Sequence, residues 1–173
     1  MKVVALSQRH FEDFYKWHQD AHFNLMASWD ARPKSPEDIS ASYGRFLALP
    51  NFGLVSETDE EKSLAAFFAE IDFRIRSAEI HIVGSPASVI HAATAVKEAI
   101  DCGLAILFRD YGLESVRFRT LADNLRLRST AENYGFSYRG LFRSAVFING
   151  CSVDMVLYDM LQSEFQAKLK KGE

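Results

Sequence analysis

The stretch that decides the fold is the final third of the chain, LESVRFRTLADNLRLRSTAENYGFSYRGLFRSAVFINGCSVDMVLYDML, which spans Leu113–Leu161. Its first nine residues, Leu113–Leu121, alternate apolar and polar side chains, and this period of two predicts a half-buried strand. Asp123 and Asn124 follow, and either side chain can accept hydrogen bonds from the free N–H groups at the start of a helix. The segment therefore predicts a strand that leads into a capped helix.

The second half of the stretch predicts the end of that helix and a β-hairpin. The helix is expected to end at Gly135, because glycine adopts a left-handed C-cap at little cost. A long strand is then expected from Phe136 to Ile148. Asn149-Gly150 is the preferred dipeptide of a two-residue hairpin, since both positions need positive φ. Cys151 to Leu161 is predicted as the returning strand.

Outward from this stretch, the first two thirds of the chain predict four strands, two helices and a further long helix. Ser35-Pro36-Glu37-Asp38 is a strong helix start, because serine caps, proline tolerates the first position and acids favour the positive end of the helix dipole. The predicted order is β-α-α-β-β-β-α-β-α-β-β. Its elements before Leu113 are strands at 2–6, 53–57, 63–73 and 78–83, and helices at 7–20, 35–50 and 88–111.

This order and several local motifs resemble the GNAT acyltransferases, in particular the branch that acetylates the N-termini of ribosomal proteins. The family shows a strand, an Asn, a short helix that ends in Gly-Phe, a Gly-x-x-Arg and a final strand that contains Asp. The matching residues here are Leu113–Thr120, Asn124, Ala131–Phe136, Gly140–Arg143 and Val153–Leu161. The resemblance implies an α/β (α+β) fold with a mixed sheet, formed by a single domain over residues 1–165 with a polar tail at 166–173.

The resemblance also implies an acyl donor, acetyl-CoA, and the residues that hold it. In the family the pantetheine arm lies along the fourth strand, here near Ile82 and Val83. The pyrophosphate lies at the N-terminus of the long helix, here near His91, Ala92 and Ala93, where free N–H groups and the helix dipole attract phosphate. The loop departs from the family pattern because it lacks the two expected glycines and the basic residue, unless His91 replaces the latter.

Three further residues are candidates on the predicted capped helix. Asn124 matches the family's Asn that contacts pantetheine, and a plain N-cap is the alternative. Arg128 is expected near the phosphates of CoA, with an exposed, solvated arginine as the alternative. Many relatives carry a tyrosine that acts as the acid for the leaving thiolate; its position here is Ala131, so Tyr134 is the nearest candidate, and a core aromatic is the other interpretation.

A polar cluster on the third and fourth strands supplies the candidate base. If residues 74–77 form the turn between these strands, Glu70, Asp72, Glu79 and His81 are cross-strand neighbours. Carboxylates beside an imidazole raise its pKa, and neighbouring carboxylates raise the pKa of one of their own. Glu79 and His81 are therefore the candidates that accept the proton of the amine. A solvated sheet face is the alternative.

Composition limits the function classes. The net charge of −3 and the pI near 6.0 give no electrostatic footprint for nucleic acid or an anionic membrane. No segment reaches the ~20 apolar residues of a membrane span, and we expect a cytoplasmic protein. Cys102 and Cys151 are expected to be buried free thiols. His10, His18 and His22 lack a ligand set with clear metal geometry, so no metal is expected.

Two functions stay open at this point. The first is an N-acetyltransferase that transfers an acetyl group directly from acetyl-CoA to a small amine, an amino sugar or a peptide N-terminus. Its acceptor pocket is expected near Phe23, Trp29, Tyr43, Phe142 and Phe147. The second is a catalytically inactive binding or assembly protein of the same fold that has lost or weakened CoA binding. A homodimer through the C-terminal hairpin is a candidate assembly in either case.

Overall fold

The fold was obtained as a computed structural model, which describes residues 2–20, 34–48, 50–57, 62–84 and 92–171. Seven strands, five helices and two short helical turns lie in these ranges. The strands are β1 (Lys2–Ala5), β2 (Phe52–Glu57), β3 (Lys62–Asp72), β4 (Ser77–Gly84), β5 (Ser115–Leu121), β6 (Ser137–Ile148) and β7 (Cys151–Leu161). The helices are α1 (Phe11–Trp17), α2 (Pro36–Ala48), α3 (Ala92–Ala105), α4 (Leu125–Tyr134) and α5 (Gln162–Lys171), with a 3₁₀ turn at Gln8–His10 and a π-helical turn at Ile106–Asp110.

The strands form one mixed sheet in the order β1-β2-β3-β4-β5-β7-β6. β4 and β5 are parallel, with a register that runs from Ser77 opposite Ser115 to Ile80 opposite Phe118. The registers of β1 with β2, β2 with β3, β5 with β7 and β6 with β7 are antiparallel. The predicted mixed α/β architecture is confirmed.

The chain forms two compact units, the first of which comprises residues 1–69 and 81–103. Its core joins α1 and α2 to the sheet through apolar side chains that are almost completely buried; they include Leu6, Phe14, Trp17, Ile39, Val55, Phe67 and Val83. On α3, Gly103 lies directly against Phe68, and a Cβ at this position would lie 1.8 Å from Phe68 Cζ. Only glycine allows this helix to approach β3 so closely.

The second unit comprises residues 70–80 and 104–173. β5 and β7 present buried side chains to one face, which α4 and α5 help to cover; they include Val116, Phe118, Val156, Tyr158 and Met160. α5 anchors itself through Phe165, which is buried and whose ring centroid lies 5.4 Å from that of Phe108. The Gln162 side chain donates a hydrogen bond of 2.7 Å to the Phe108 carbonyl.

The local signals of the final third are confirmed. Asn124 caps α4, because its side-chain oxygen accepts a hydrogen bond of 3.1 Å from the Leu127 N–H. Gly135 ends α4 with φ of 108°. Asn149 and Gly150 both have positive φ, at 50° and 82°, as the two-residue hairpin requires.

The start of α2 is confirmed as well. Ser35 Oγ accepts a hydrogen bond of 3.1 Å from the Asp38 N–H, while an Asp38 carboxylate oxygen accepts one of 3.1 Å from the Ser35 N–H. The backbone hydrogen bond from Ser35 is the main cause that lowers the pKa of Asp38 below its usual value. The start of the long helix, predicted at residue 88, lies outside the described residues.

Three expectations differ from the structure or go beyond it. Cys102 and Cys151 are free thiols, but both are exposed rather than buried, because Cys102 lies on the outer face of α3 and Cys151 begins the strand after the hairpin turn. The expected polar tail is helical from Gln162 to Lys171. The predicted single domain of residues 1–165 stays a prediction. Within the described part of the chain, no helix is long and apolar enough to cross a membrane.

Candidate functional site

The candidate base Glu79 is buried and tightly paired. Its side chain is 1% exposed. Arg119 on β5 donates from Nε to Glu79 Oε1 at 2.8 Å and from Nη2 to Oε2 at 2.8 Å, so both carboxylate oxygens accept charge-assisted hydrogen bonds. The hydrogen bond to Glu79 is the main cause that raises the pKa of Arg119 above its usual value. Glu79 is therefore the ion-pair partner of Arg119.

Glu70 joins the same cluster from β3 but stays exposed. One of its oxygens lies 3.4 Å from Arg117 Nη2 and the other lies 3.5 Å from Arg119 Nη2. Glu70 has φ of 48°, so the alternation of faces along β3 is interrupted here. Sequence analysis did not assign partners to Arg117 and Arg119, although the alternation of β5 puts both on one face.

Asp72 and His81, the other two members of the expected cluster, are placed differently. Asp72 accepts hydrogen bonds from the backbone N–H and the guanidinium of Arg74, at 2.8 Å and 3.0 Å, and so holds the turn that follows β3. The hydrogen bond from the Arg74 side chain is the main cause that lowers the pKa of Asp72. His81 is partly buried on β4. The cluster thus pairs Glu70 and Glu79 with arginines rather than with Asp72.

An open depression of about 560 Å³ adjoins this cluster in the second unit. Its charged lining residues are Glu70, Asp72, Arg74 and Arg117. Two carboxylates and two guanidiniums give this lining no net charge, so its electrostatics do not favour a cationic or an anionic ligand.

The residues expected to hold the acyl donor are only partly described. Ile82 and Val83 lie on β4, where Ile82 is partly buried and Val83 belongs to the core of the first unit. Ala92 and Ala93 are the first two residues of α3 as it is described. His91 and the loop that precedes it lie outside the described residues.

Arg128 has partners inside the protein. Its Nη1 donates a hydrogen bond of 2.8 Å to the Ala122 carbonyl. Its Nε lies 3.4 Å from the Tyr158 hydroxyl, and this contact is the main cause that raises the pKa of Arg128. These contacts tie the guanidinium to the turn between β5 and α4, and the expected contact with CoA phosphates stays a prediction.

Tyr134, the candidate acid, is buried near the end of α4. Its ring centroid lies 5.8 Å from that of Phe136, and the Lys168 Nζ lies 3.0 Å from the Tyr134 centroid. A cation over the face of an aromatic ring is an attractive arrangement. The surroundings of Tyr134 are thus those of a core aromatic, and its role as an acid stays a prediction.

Tyr158 on β7 is a polar residue that sequence analysis missed. It is completely buried, and its hydroxyl donates a hydrogen bond of 2.7 Å to Glu132 Oε1. Burial is the main cause that raises the pKa of Tyr158, and the hydrogen bond to Glu132 adds to it. The available signal was the alternation of β7, because a tyrosine on the core face needs a partner for its hydroxyl.

Three of the residues expected around the acceptor, Tyr43, Phe142 and Phe147, are described by the structure. Tyr43 packs in the core of the first unit, with its ring centroid 4.6 Å from that of Phe14 and its hydroxyl 3.0 Å from His18 Nε2. Phe142 and Phe147 are exposed on β6. Phe23 and Trp29 lie outside the described residues.

His10 in the first unit has partners of its own. His10 is completely buried, and its Nδ1 lies 3.0 Å from the Ser7 backbone nitrogen while its Nε2 lies 3.6 Å from Glu57 Oε2. His22 lies outside the described residues. Among the residues that the structure describes, no group of three His, Cys, Asp or Glu side chains is arranged to hold a metal ion.

Comparisons with known proteins identify the fold through solved structures. No protein-family model and no curated protein matches the chain. A point mutant of spermidine N-acetyltransferase SpeG from Vibrio cholerae is similar with a TM-score of 0.81 and 20% identity, over 98% of this chain and 99% of that one. The crystal structure of the V. cholerae enzyme in complex with CoA and spermine gives a TM-score of 0.81 and 21% identity, over 95% and 97% of the two chains.

A third structure, the V. cholerae enzyme in complex with manganese ions, has a TM-score of 0.77 and 20% identity over 96% of this chain and 95% of that chain. These neighbours belong to the GNAT superfamily. At this level of identity the likeness establishes the fold. The chain therefore has the fold of the GNAT N-acetyltransferases, as its sequence predicts.

Proposed function

We propose that this protein is an acetyl-CoA-dependent N-acetyltransferase that transfers the acetyl group directly to an amine. The observation that carries the proposal is the match, over nearly the full length of both chains, to an N-acetyltransferase solved with CoA and spermine.

The proposed donor site uses residues of β4, α3 and the turn before α4. Ile82 and Val83 offer a strand edge to the pantetheine arm, and Asn124 contacts the same arm. His91, Ala92 and Ala93 are assigned to the pyrophosphate, as the family resemblance implies, because the dipole at a helix N-terminus favours negative charge. When bound, acetyl-CoA supplies the activated acetyl thioester.

The protein's own task is to remove a proton from the attacking amine. We favour His81 over Glu79 for this task. Glu79 is buried with both oxygens bound to Arg119, whereas His81 is only partly buried on the same strand. Glu79 then serves to hold Arg119 in place.

Steady-state release of free CoA thiol tests this assignment. His81→Gln is expected to lower turnover by about 100-fold or more, because general bases contribute about 10²–10⁴-fold. Glu79→Gln, which keeps the shape of the side chain, is expected to lose less than about tenfold, and the exposed Glu70→Gln serves as the matched control. Unchanged turnover in His81→Gln rules this residue out. A larger loss in Glu79→Gln than in His81→Gln returns the base to Glu79.

The proposed acceptor is a small primary amine. The neighbours are named for spermidine, which makes a polyamine the first compound to test. An amino sugar and a peptide N-terminus, the acceptor of the ribosomal-protein branch that the motifs resemble, complete the panel. The proposed compartment is the cytoplasm.

A second candidate is an inactive protein of the same fold that binds CoA weakly or not at all. The turn that leads into the long helix favours it, because both glycines of the family pattern are absent from its sequence and Val89 and Ile90 are bulky. Turnover of any amine in the panel by the wild-type protein excludes this candidate. Absence of turnover together with absence of acetyl-CoA binding supports it.

We also propose that the protein forms a homodimer through β6. Tyr138, Leu141, Phe142 and Phe147 are large apolar side chains on this edge strand, and each is exposed. A set of exposed apolar side chains on one element is typical of an interaction surface. Phe147→Asp is expected to halve the mass measured by light scattering. A monomeric wild-type protein contradicts the dimer.

A further inference from the structure

The turn between β5 and α4, Ala122–Asn124, is fixed by several hydrogen bonds. The Ala122 N–H donates to the Asp154 carbonyl at 2.9 Å, and the Asn124 N–H donates to the Leu121 carbonyl at 3.1 Å. The Asn124 side chain closes the turn by capping α4. Three residues of chain are thus tied both to their own helix and to the neighbouring strand β7.

The Ala122 carbonyl accepts a hydrogen bond from a side chain. Arg128 lies one turn into α4 and donates from Nη1 to this carbonyl at 2.8 Å. Long side chains adopt many rotamers, so this bond fixes the turn only if the guanidinium is itself held in place.

Tyr158 supplies that support from β7. A tyrosine hydroxyl has one proton, which it donates to Glu132 at 2.7 Å. It therefore meets the Arg128 Nε, 3.4 Å away, as an acceptor. The buried hydroxyl bridges a carboxylate and a guanidinium that lie four residues apart on α4, and it links both to the sheet.

We propose that Tyr158 is a positioning residue of the acyl-donor site, which holds Arg128 against the Ala122–Asn124 turn and so presents Asn124 to the pantetheine arm of acetyl-CoA. The inference rests on the proposed function, because that function assigns Asn124 to the donor. Tyr158 itself is completely buried and does not touch the substrate.

The first test is the kinetics of Tyr158→Phe, which removes the hydroxyl and keeps the ring. The KM for acetyl-CoA is expected to rise about tenfold, the equivalent of one lost hydrogen bond, while kcat stays within about twofold. Tyr138→Phe is the matched control, because Tyr138 lies opposite Tyr158 in the β6–β7 register and is exposed. It is expected to leave both constants unchanged. Glu132→Gln, which keeps an acceptor for the hydroxyl, is expected to raise KM less than Tyr158→Phe does.

The second test does not need acetyl-CoA. Hydrogen–deuterium exchange of the 121–128 peptide is expected to be faster in Tyr158→Phe than in wild type and in Tyr138→Phe. Unchanged exchange together with an unchanged KM overturns the inference. A loss of kcat in Tyr158→Phe without any change in KM overturns it as well. If wild type binds no acetyl-CoA, the proposed function fails and the donor role of Tyr158 fails with it. Faster exchange in Tyr158→Phe then shows separately that the brace on the turn exists.

Discussion

At the scale of single residues, Glu79 combines burial with charge. A buried carboxylate is stable only when its oxygens are paired, and Arg119 pairs both of them. Removal of one partner leaves the other charge without compensation, which costs about 3–5 kcal/mol in a fully buried pair. Because Arg119 is about one-third exposed and its Nη2 also lies 3.5 Å from Glu70, the expected penalty is smaller.

Glu79→Ala is therefore expected to lower the free energy of unfolding by about 2 kcal/mol. Glu70→Ala removes an exposed carboxylate from the same arginines and is expected to change it by less than about 0.5 kcal/mol. Urea unfolding of both variants measures the difference. Equal effects of the two substitutions contradict the buried-pair account of Glu79.

The buried hydroxyl of Tyr158 is expected to make the free energy of unfolding depend on pH in the alkaline range. Burial and the bond to Glu132 raise its pKa in the folded state above the ordinary value of 10.0. The stabilisation that the neutral hydroxyl provides is thus fully present below pH 10.0 and is lost as pH rises through the folded-state pKa.

The difference in unfolding free energy between wild type and Tyr158→Phe is accordingly expected to be about 1–1.5 kcal/mol near neutral pH. It is expected to shrink as the pH rises above 10.0 and passes through the raised folded-state pKa of Tyr158. Urea unfolding at several pH values measures it, and the shared titration of the other tyrosines cancels in the comparison. A difference that stays constant over this range contradicts the raised pKa.

The ion-pair partners of the site residues could not be predicted from the sequence. Strand alternation put Arg117 and Arg119 on one face of β5, but which carboxylate meets them depends on the register of β4 against β5. The positive φ of Glu70 ended the alternation on which the placement of Asp72 relied. Both facts arise from contacts between distant segments, which a local pattern does not contain.

At the scale of elements, the final third of the chain was predictable because its signals are local. The Asn124 cap, the Gly135 C-cap and the Asn149-Gly150 turn each follow from the hydrogen-bonding or φ preferences of one or two residues. α5 was not predicted because this mostly polar segment packs against the second unit mainly through Phe165. A single apolar anchor gives only a weak periodic signal.

The close packing of α3 on β3 gives a prediction about glycine. Gly103→Ala is expected to lower the free energy of unfolding by about 3 kcal/mol, because the new Cβ overlaps the Phe68 ring and a packed core tolerates extra volume poorly. Gly44→Ala is the matched control in α2, where a Cβ meets no atom within 4 Å. It is expected to stabilise the protein by about 1 kcal/mol, since alanine favours a helix more than glycine does. Thermal unfolding of the two variants measures both effects. An unchanged free energy of unfolding in Gly103→Ala contradicts the close contact between Gly103 and Phe68.

At the scale of the whole molecule, element order carried the fold prediction. The predicted order of strands and helices agrees with a structure that resembles N-acetyltransferases over nearly its full length. Which amine is the acceptor was not predictable from the sequence. Recognition of an amine depends on side chains from several elements, and their spacing in sequence does not report their distance in space.

Calorimetric titration of the wild-type protein with acetyl-CoA, together with its free energy of unfolding, shows whether this fold binds the acyl donor. We expect saturable binding and, at a hundred times the Kd, an increase of about 2.7 kcal/mol in the free energy of unfolding. No heat of binding and no stabilisation at millimolar acetyl-CoA would contradict this expectation and would leave the GNAT fold without its proposed activity.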